Sequence, residues 1–299
     1  MKPARRAPDV LHHLGGSLHT QWRRYRKRLK RCQRHFSEEA VHDSRVETRR
    51  LLATVELLCA FIPERDVKKA RRALKDHLDS FDRLRDTQVQ LVYVEHLIRT
   101  FPAAREFRAW LREREARFIR ESRQAVKKIR TRRLGKRIAG FERELTQRRE
   151  ETKPEREFSV AQGAIRLAFA RVARLCRHVN ATDTETIHRT RIAFKRFRYM
   201  VDALAPLLPA VTEQHRQAMR GYQSMMGDIQ DVEVLLATLE KFSKHGHADR
   251  ATQRLRIEFA RRREQLIRVY LNAAGKLQLF WPLHDARGTI VRINPEATS

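Results

Sequence analysis

Apolar residues recur three and four positions apart along almost the whole chain, the spacing of one face of an α-helix. The pattern predicts helices over 9–34, 38–62, 65–99, 102–133 and 136–150, then over 159–180, 184–208, 211–243 and 249–278. Pro63 and Pro102 mark two of the breaks. The stretch EETKPERE, 150–157, is charged, carries a proline and lacks apolar residues, so it reads as a linker. The helical period is lost in FWPLHDARGTIVRINPEATS, where TIVRI after Gly288 suggests a short strand or an ordered tail. The longest apolar-looking run, Leu51 to Ile62, is interrupted by Thr54 and Glu56. It falls short of the roughly 20 residues of a membrane span. No apolar stretch follows the basic N-terminus either, so a cytoplasmic location is expected.

The two halves repeat. VHDSRVETRRLLATVELLCAFIP (41–63) aligns with IHRTRIAFKRFRYMVDALAPLLP (187–209) at an offset of 188 − 42 = 146. His42 matches His188, Arg45 matches Arg191, Arg49 matches Lys195 and Arg50 matches Arg196. LRDTQVQL (84–91) then matches IQDVEVLL (229–236) at an offset of 231 − 86 = 145. Weaker agreement pairs Arg28 with Arg174, Arg31 with Arg177 and Arg117 with Arg262. The expected fold is all-α, two pseudo-symmetric four-helix bundles with a short C-terminal tail. Residues 1–150 make the first repeat with an extra helix, 151–157 the linker, 158–280 the second repeat and 281–299 the tail. Both repeats together form one domain.

Charge changes this picture from a helical scaffold to a binder of anions. The 299 residues carry 65 Lys+Arg against 36 Asp+Glu, a formal net charge of +29, and 51 of the basic residues are Arg. Three widely spaced cysteines, Cys32, Cys59 and Cys176, form no metal or disulfide pattern and read as small thiols inside helices. At about 100° per residue, setting His42 at 0° puts Arg45 at about 300° and Arg49 at about 340°, one narrow stripe beside the apolar face. His188, Arg191 and Lys195 form the same stripe in the second half. Arg71 with Lys75, and Arg216 with Arg220, add like-charge pairs four residues apart at matching places. Such pairs destabilise a bare helix by a few tenths of a kcal/mol, so a counter-anion is expected there.

Phosphate suits this surface, because the guanidinium fork bonds its oxygens bidentately. Both histidines are expected in the first helical turn, after Ser37-Glu38-Glu39 and after a Thr182–Glu185 capping box. A helix N-terminus disfavours imidazolium but favours a bound anion, so an anion has to decide the balance. The ladders are extended, which matches many phosphates in a row. The plainer readings are a solvated basic face, structural histidines, and an Arg excess produced by codon bias. Asp86 and Asp231 resemble catalytic acids, yet structural pairing with Arg is the stronger expectation.

VHDSRVETRRL and IHRTRIAFKRFR resemble the signature of the CHAD domain (conserved histidine α-helical domain), and LRDTQVQL and MGDIQDVEVLL resemble its second motif. The resemblance covers about residues 10–280. It implies two helical bundles that bind inorganic polyphosphate along a basic groove, without metal or cofactor. By match to the motifs, it implies ligand contacts from His42, Arg45, Arg49, Arg50, His188, Arg191, Lys195 and Arg196. Arg71, Lys75, Arg216, Arg220, Arg28 and Arg174 would support them. The first repeat departs from the pattern, since LDSFDRLRD lacks the glycine that Gly227 supplies in the second. Members are often fused to a triphosphate-hydrolysing tunnel domain, but its ExExK pattern is missing here, so no enzymatic activity is implied. The expected role is binding or targeting at polyphosphate granules, with polyphosphate-metabolising proteins as further partners.

Nucleic acid is the competing ligand, since the net charge attracts any phosphate backbone. Single-strand binders interleave aromatic and basic residues. Here Phe61, Phe81, Phe194 and Phe197 fall on apolar faces, leaving Tyr25, Trp110 and Tyr199 as stacking candidates. A phosphate-processing enzyme would need a metal cluster, a glycine-rich phosphate loop or an oriented nucleophile, and the sequence offers none of these motifs.

Overall fold

The computed structural model describes residues 8–282 apart from 103 and 248. Among the described residues the protein is all-α, with ten α-helices and no strand. They are α1 (Val10–Arg34), α2 (Glu38–Leu57), α3 (Glu64–Asp79), α4 (Asp82–Leu97) and α5 (Ala104–Lys128). There follow α6 (Arg132–Glu151), α7 (Pro154–Arg177), α8 (Thr184–Leu204), α9 (Glu213–Lys244) and α10 (Arg250–Ala273). The stretch TIVRI and all but the first two residues of the tail lie outside the described residues.

Three expectations need correcting. The single helix foreseen over 65–99 is broken at Ser80 and Phe81. Ser80 turns its hydroxyl back onto the His77 carbonyl (2.7 Å), while Ser122 of α5 donates to the Ser80 carbonyl (2.9 Å). Phe81 drops into the core at the break. Such local side-chain bonds compete with the helical ladder. The foreseen linker shrinks to Thr152 and Lys153, because Pro154 opens α7. Proline fits a first helical position, where its missing N–H has no partner to lose. The capping box at Thr182 does not form either: Asp183 caps α8, accepting from the Glu185 amide (3.1 Å), while Thr182 bonds Asn180.

The buried side chains do not divide into one core per repeat. The larger cluster joins Leu14, Leu51, Leu74 and Ile138 of the first half to Ile165, Phe194, Met226 and Tyr270 of the second. The smaller joins Leu91, Val94, Phe107 and Leu111 to Leu235, Phe242, Leu255 and Phe259. A buried hydrogen bond from Gln90 to Thr238 (3.1 Å) crosses between α4 and α9 in the same region. The 32 residues of α9 run about 48 Å and serve both clusters. The first half divides the same task between α3 and α4. Each fully buried Leu or Phe contributes about 1.5–3 kcal/mol relative to exposure, so the halves are welded rather than merely adjacent.

This packing sets α2 against α8, the two helices that carry the repeated His-Arg motif. Ser37 caps α2, accepting from the Ala40 amide (3.2 Å), and Leu51, Val55, Phe194 and Phe197 bury the inner faces. No helix among the described residues is long and apolar enough to cross a membrane.

Candidate functional site

The contact between α2 and α8 turns two separate stripes into one basic patch. Lys195 is half-buried, and burial pushes its ammonium down to about 8, with the guanidinium charges of Arg49, Arg191 and Arg45 adding to the effect. Three of those four cations stand in the field of the fourth, and they come from both helices. No anion that would balance them is built into α2 or α8 at this point, and the acid felt there, Asp82, belongs to α4.

The two halves of the patch differ in how their arginines are held. Arg45 is buried, and its Nη1 donates to the Leu78 carbonyl (3.2 Å) and to Asp82 Oδ1 (3.2 Å), with its guanidinium 5.9 Å from the centre of the Phe81 ring. Its repeat mate Arg191 faces Gly227 instead, the residue that aligns with Asp82 (227 − 82 = 145). A Cβ added at Gly227 would lie 3.6 Å from Arg191 Nε. Nε of Arg191 is buried without a hydrogen-bond partner, and so is Nδ1 of His188 one turn away. A buried donor left unpaired costs about 1–3 kcal/mol, more when it is charged. The first half thus bonds its arginine to a carboxylate, whereas Arg191 feels Asp231 only at a distance and keeps Nε free for a ligand.

His42 and His188 are each the fifth residue of their helix, just beyond the first turn where they were expected. His42 is exposed and His188 half-buried. Arg50 is exposed and pairs with Glu47 (2.7 Å). Arg196 reaches across to Glu56 of α2 (3.9 Å) and, with Arg71, lies near Cys59. Lys75 is exposed on α3. Arg216 and Arg220 both bond Glu213, and their charges reach Asp202. Arg28 is held by Asp43 (2.9 Å) on the α1–α2 face, and Arg174 is exposed on α7. Of the fourteen, Arg45, Arg49, Arg191 and Lys195 are the ones brought into one electrostatic group.

The expected pairing of Asp86 and Asp231 with arginine does not form within ion-pair distance among the described residues. Partial burial, helped by Asp82 and Asp231, pushes the Asp86 carboxyl up to about 6, and burial raises that of Asp231. The two carboxylates meet across α4 and α9 because the helices that carry them pack together. Arg85, whose charge reaches Arg45, Asp86 and Asp231, was not anticipated. It aligns with Gln230, so a search for repeated residues passes over it.

A profile of the CHAD domain matches residues 16–240, three quarters of the chain. The chain belongs to the CHAD family. A crystal structure of the CHAD domain from the plant Ricinus communis superposes with a TM-score of 0.62 at 17% identity, covering 91% of this chain and 98% of that one. No curated protein matches. At that identity the likeness to the plant CHAD domain speaks for the fold alone. The site of this CHAD domain rests on its own side chains.

The aromatic residues bear on the choice of ligand. Phe61, Phe81, Phe194 and Phe197 are buried as expected. Tyr25 is buried too, against expectation, stacked on Trp22 and His77 and hydrogen-bonded to His77 Nδ1. Trp110 and Tyr199 are half-buried, with Arg114 and Arg198 over their rings at 4.5 and 4.3 Å. One face of each ring is therefore already covered by an arginine.

Proposed function

We propose that this CHAD domain binds inorganic polyphosphate across α2 and α8, with His188, Arg191, Lys195 and Arg49 as the principal contacts. The observation that carries the proposal is the pair of buried, unpartnered nitrogens, Arg191 Nε and His188 Nδ1, beside a half-buried lysine. A linear phosphate chain supplies closely spaced acceptor oxygens and needs no base-stacking surface. Arg45 acts mainly as a structural residue, and Arg50, Arg71, Lys75, Arg196, Arg216 and Arg220 extend the field along which the chain runs. The site is read as one for binding rather than catalysis, since holding a polyanion needs only the donors and positive charge that these side chains supply. The two aligned halves act as pseudo-symmetric repeats on either side of the polymer. A binding module of this kind would direct itself and attached or associated proteins to polyphosphate granules.

The test is competition. Labelled polyphosphate is bound at about 0.3 M salt, where unspecific backbone attraction is weakened, then challenged with duplex DNA and RNA at equal phosphate. Polyphosphate should survive the challenge, and the triple variant His188→Ala, Arg191→Ala, Lys195→Ala should lose it by more than tenfold. Ready displacement by DNA, or an equal loss when three exposed basic residues elsewhere are removed, would make nucleic acid the better reading.

A further inference from the structure

A second basic surface lies where neither the repeat nor the family motifs point. An open groove of about 1060 Å³ runs between α1 and the turn from α5 to α6, lined among others by Arg23, Arg24, Lys27, Lys30, Lys127 and Arg130. Arg26 lines it too, and all seven of these basic side chains are exposed. No acidic residue lines it. None of the seven has an ion-pair partner among the described residues, although arginines elsewhere on the surface repeatedly do. Like charges three and four residues apart on α1 repel, so the bare helix is destabilised here.

The second half repeats only part of this charge. The buried faces of α1 and α7 coincide at an offset of 161 − 14 = 147, with Leu14, Leu18 and Tyr25 matching Ala161, Ile165 and Val172, and there Arg23 and Arg26 stand opposite Ala170 and Ala173. The far wall comes from the end of α5 and the turn into α6, the extra helix with no repeat mate. That helix begins at the groove with no side-chain cap from Thr131 and no acidic residue in its first turn, which instead carries Arg132 and Arg133. A helix start favours negative charge, so this one lacks the counter-charge that a bound anion would supply. The end of α5 points the opposite way, but two of its last carbonyls, those of Val126 and Lys127, already accept side-chain bonds. Gln33 donates to the Val126 and Ile129 carbonyls (3.0 and 3.2 Å), and Arg130 to that of Lys127 (2.7 Å).

We propose that this groove is a second polyphosphate site, separate from the α2–α8 patch. The choice of ligand rests on the polyphosphate reading above. It is favoured over nucleic acid because no aromatic side chain lines the groove to stack a base. A chain long enough to reach both sites would bind with an effective-concentration advantage over either alone.

Isothermal titration with a short polyphosphate of defined length tests this on the full chain. The wild type should bind two chains per protein. The groove variant Lys27→Gln, Lys30→Gln, Lys127→Gln, Arg130→Gln should bind one and keep the α2–α8 affinity. Its salt slope for long polyphosphate should flatten by up to about 0.9 per removed contact, by analogy with duplex DNA. A stoichiometry of one in the wild type, with binding abolished by Arg191→Ala and Lys195→Ala, would overturn the second site and leave the first standing. Binding abolished by the groove variant alone would sink the α2–α8 reading and leave the groove as the site. Loss of duplex DNA binding in the groove variant, with polyphosphate stoichiometry unchanged, would overturn the proposal in favour of nucleic acid. Circular dichroism and melting of each variant show whether it is folded.

Discussion

Replacing Gly227 by Asp should strengthen the protein and weaken its ligand binding at once. The Cβ of a residue at 227 would lie 3.6 Å from Arg191 Nε and 3.9 Å from its Nη2, ordinary van der Waals distances. A carboxylate one bond further can reach the donor that now has no partner. An ionic hydrogen bond is worth about 1.5–3 kcal/mol when buried, and a partly exposed ion pair about 0.2–1 kcal/mol. Arg191 is half-buried, so a gain of about 1 kcal/mol is expected, with a few tenths more from leaving glycine inside a helix. For a chain of 299 residues that raises Tm by about 2 °C. Binding should move the other way. A carboxylate about 5 Å from a phosphate at an effective dielectric of about 20 repels it by roughly 3 kcal/mol, and salt screening leaves about 1.5–2 kcal/mol. The dissociation constant for polyphosphate should therefore rise roughly 10- to 30-fold. Gly227→Ala separates charge from bulk: it should stabilise the helix by about 0.5–1 kcal/mol and leave affinity unchanged. Thermal melting and fluorescence titration read both quantities. Unchanged affinity in the Asp variant would place Arg191 outside the site, and a lower Tm would refute the unpaired-donor argument.

Three further outcomes follow from the same geometry. Polyphosphate affinity should fall as pH rises above 8, because the free Lys195 ammonium titrates at about 8 and a bound phosphate keeps it charged; Lys195→Arg should flatten that profile in a titration between pH 7 and 10. Folding stability has the opposite sign over that window. Unfolded lysine holds its proton to about 10.5 and folded Lys195 only to about 8, so this residue's contribution to stability rises between them. Arg45→Ala should cost about 1–3 kcal/mol in chemical denaturation by removing a buried guanidinium and its bonds to the Leu78 carbonyl and Asp82, whereas Arg191→Ala should change stability by under about 0.5 kcal/mol and reduce polyphosphate affinity by about 10-fold or more. Arg28→Gln should alter polyphosphate affinity less than threefold by the same titration, about 0.6 kcal/mol, since Asp43 already neutralises that side chain.

Much of the site was legible because it is written twice. His42 with Arg45 and His188 with Arg191 stand out only when the halves are aligned, and α2 and α8 do pack together. The alignment hid one difference, since it set Arg45 and Arg191 side by side although only Arg45 bonds a carboxylate. Their difference lies in the residue that aligns as Asp82 in one half and Gly227 in the other, which sequence reading registered only as a missing glycine. Arg85 escaped notice because it aligns with Gln230, and the α1 groove because only part of its charge recurs in α7.

The sequence by itself determined the class of the fold, the positions of most helices and the excess of positive charge. Those properties are local or additive: the 3.6-residue period records which face each helix buries, and net charge is a sum. The tertiary structure alone decided that each core draws on both halves, that Asp86 feels Asp82 and Asp231 as well as Arg45 and Arg85, and that Lys195 lies among three guanidinium groups. It also decided where the third helix of the first half breaks, through Ser122 of a different helix holding the Ser80 carbonyl. These depend on contacts between residues distant along the chain, where one donor or one missing side chain sets whether a charge is satisfied or left for a ligand.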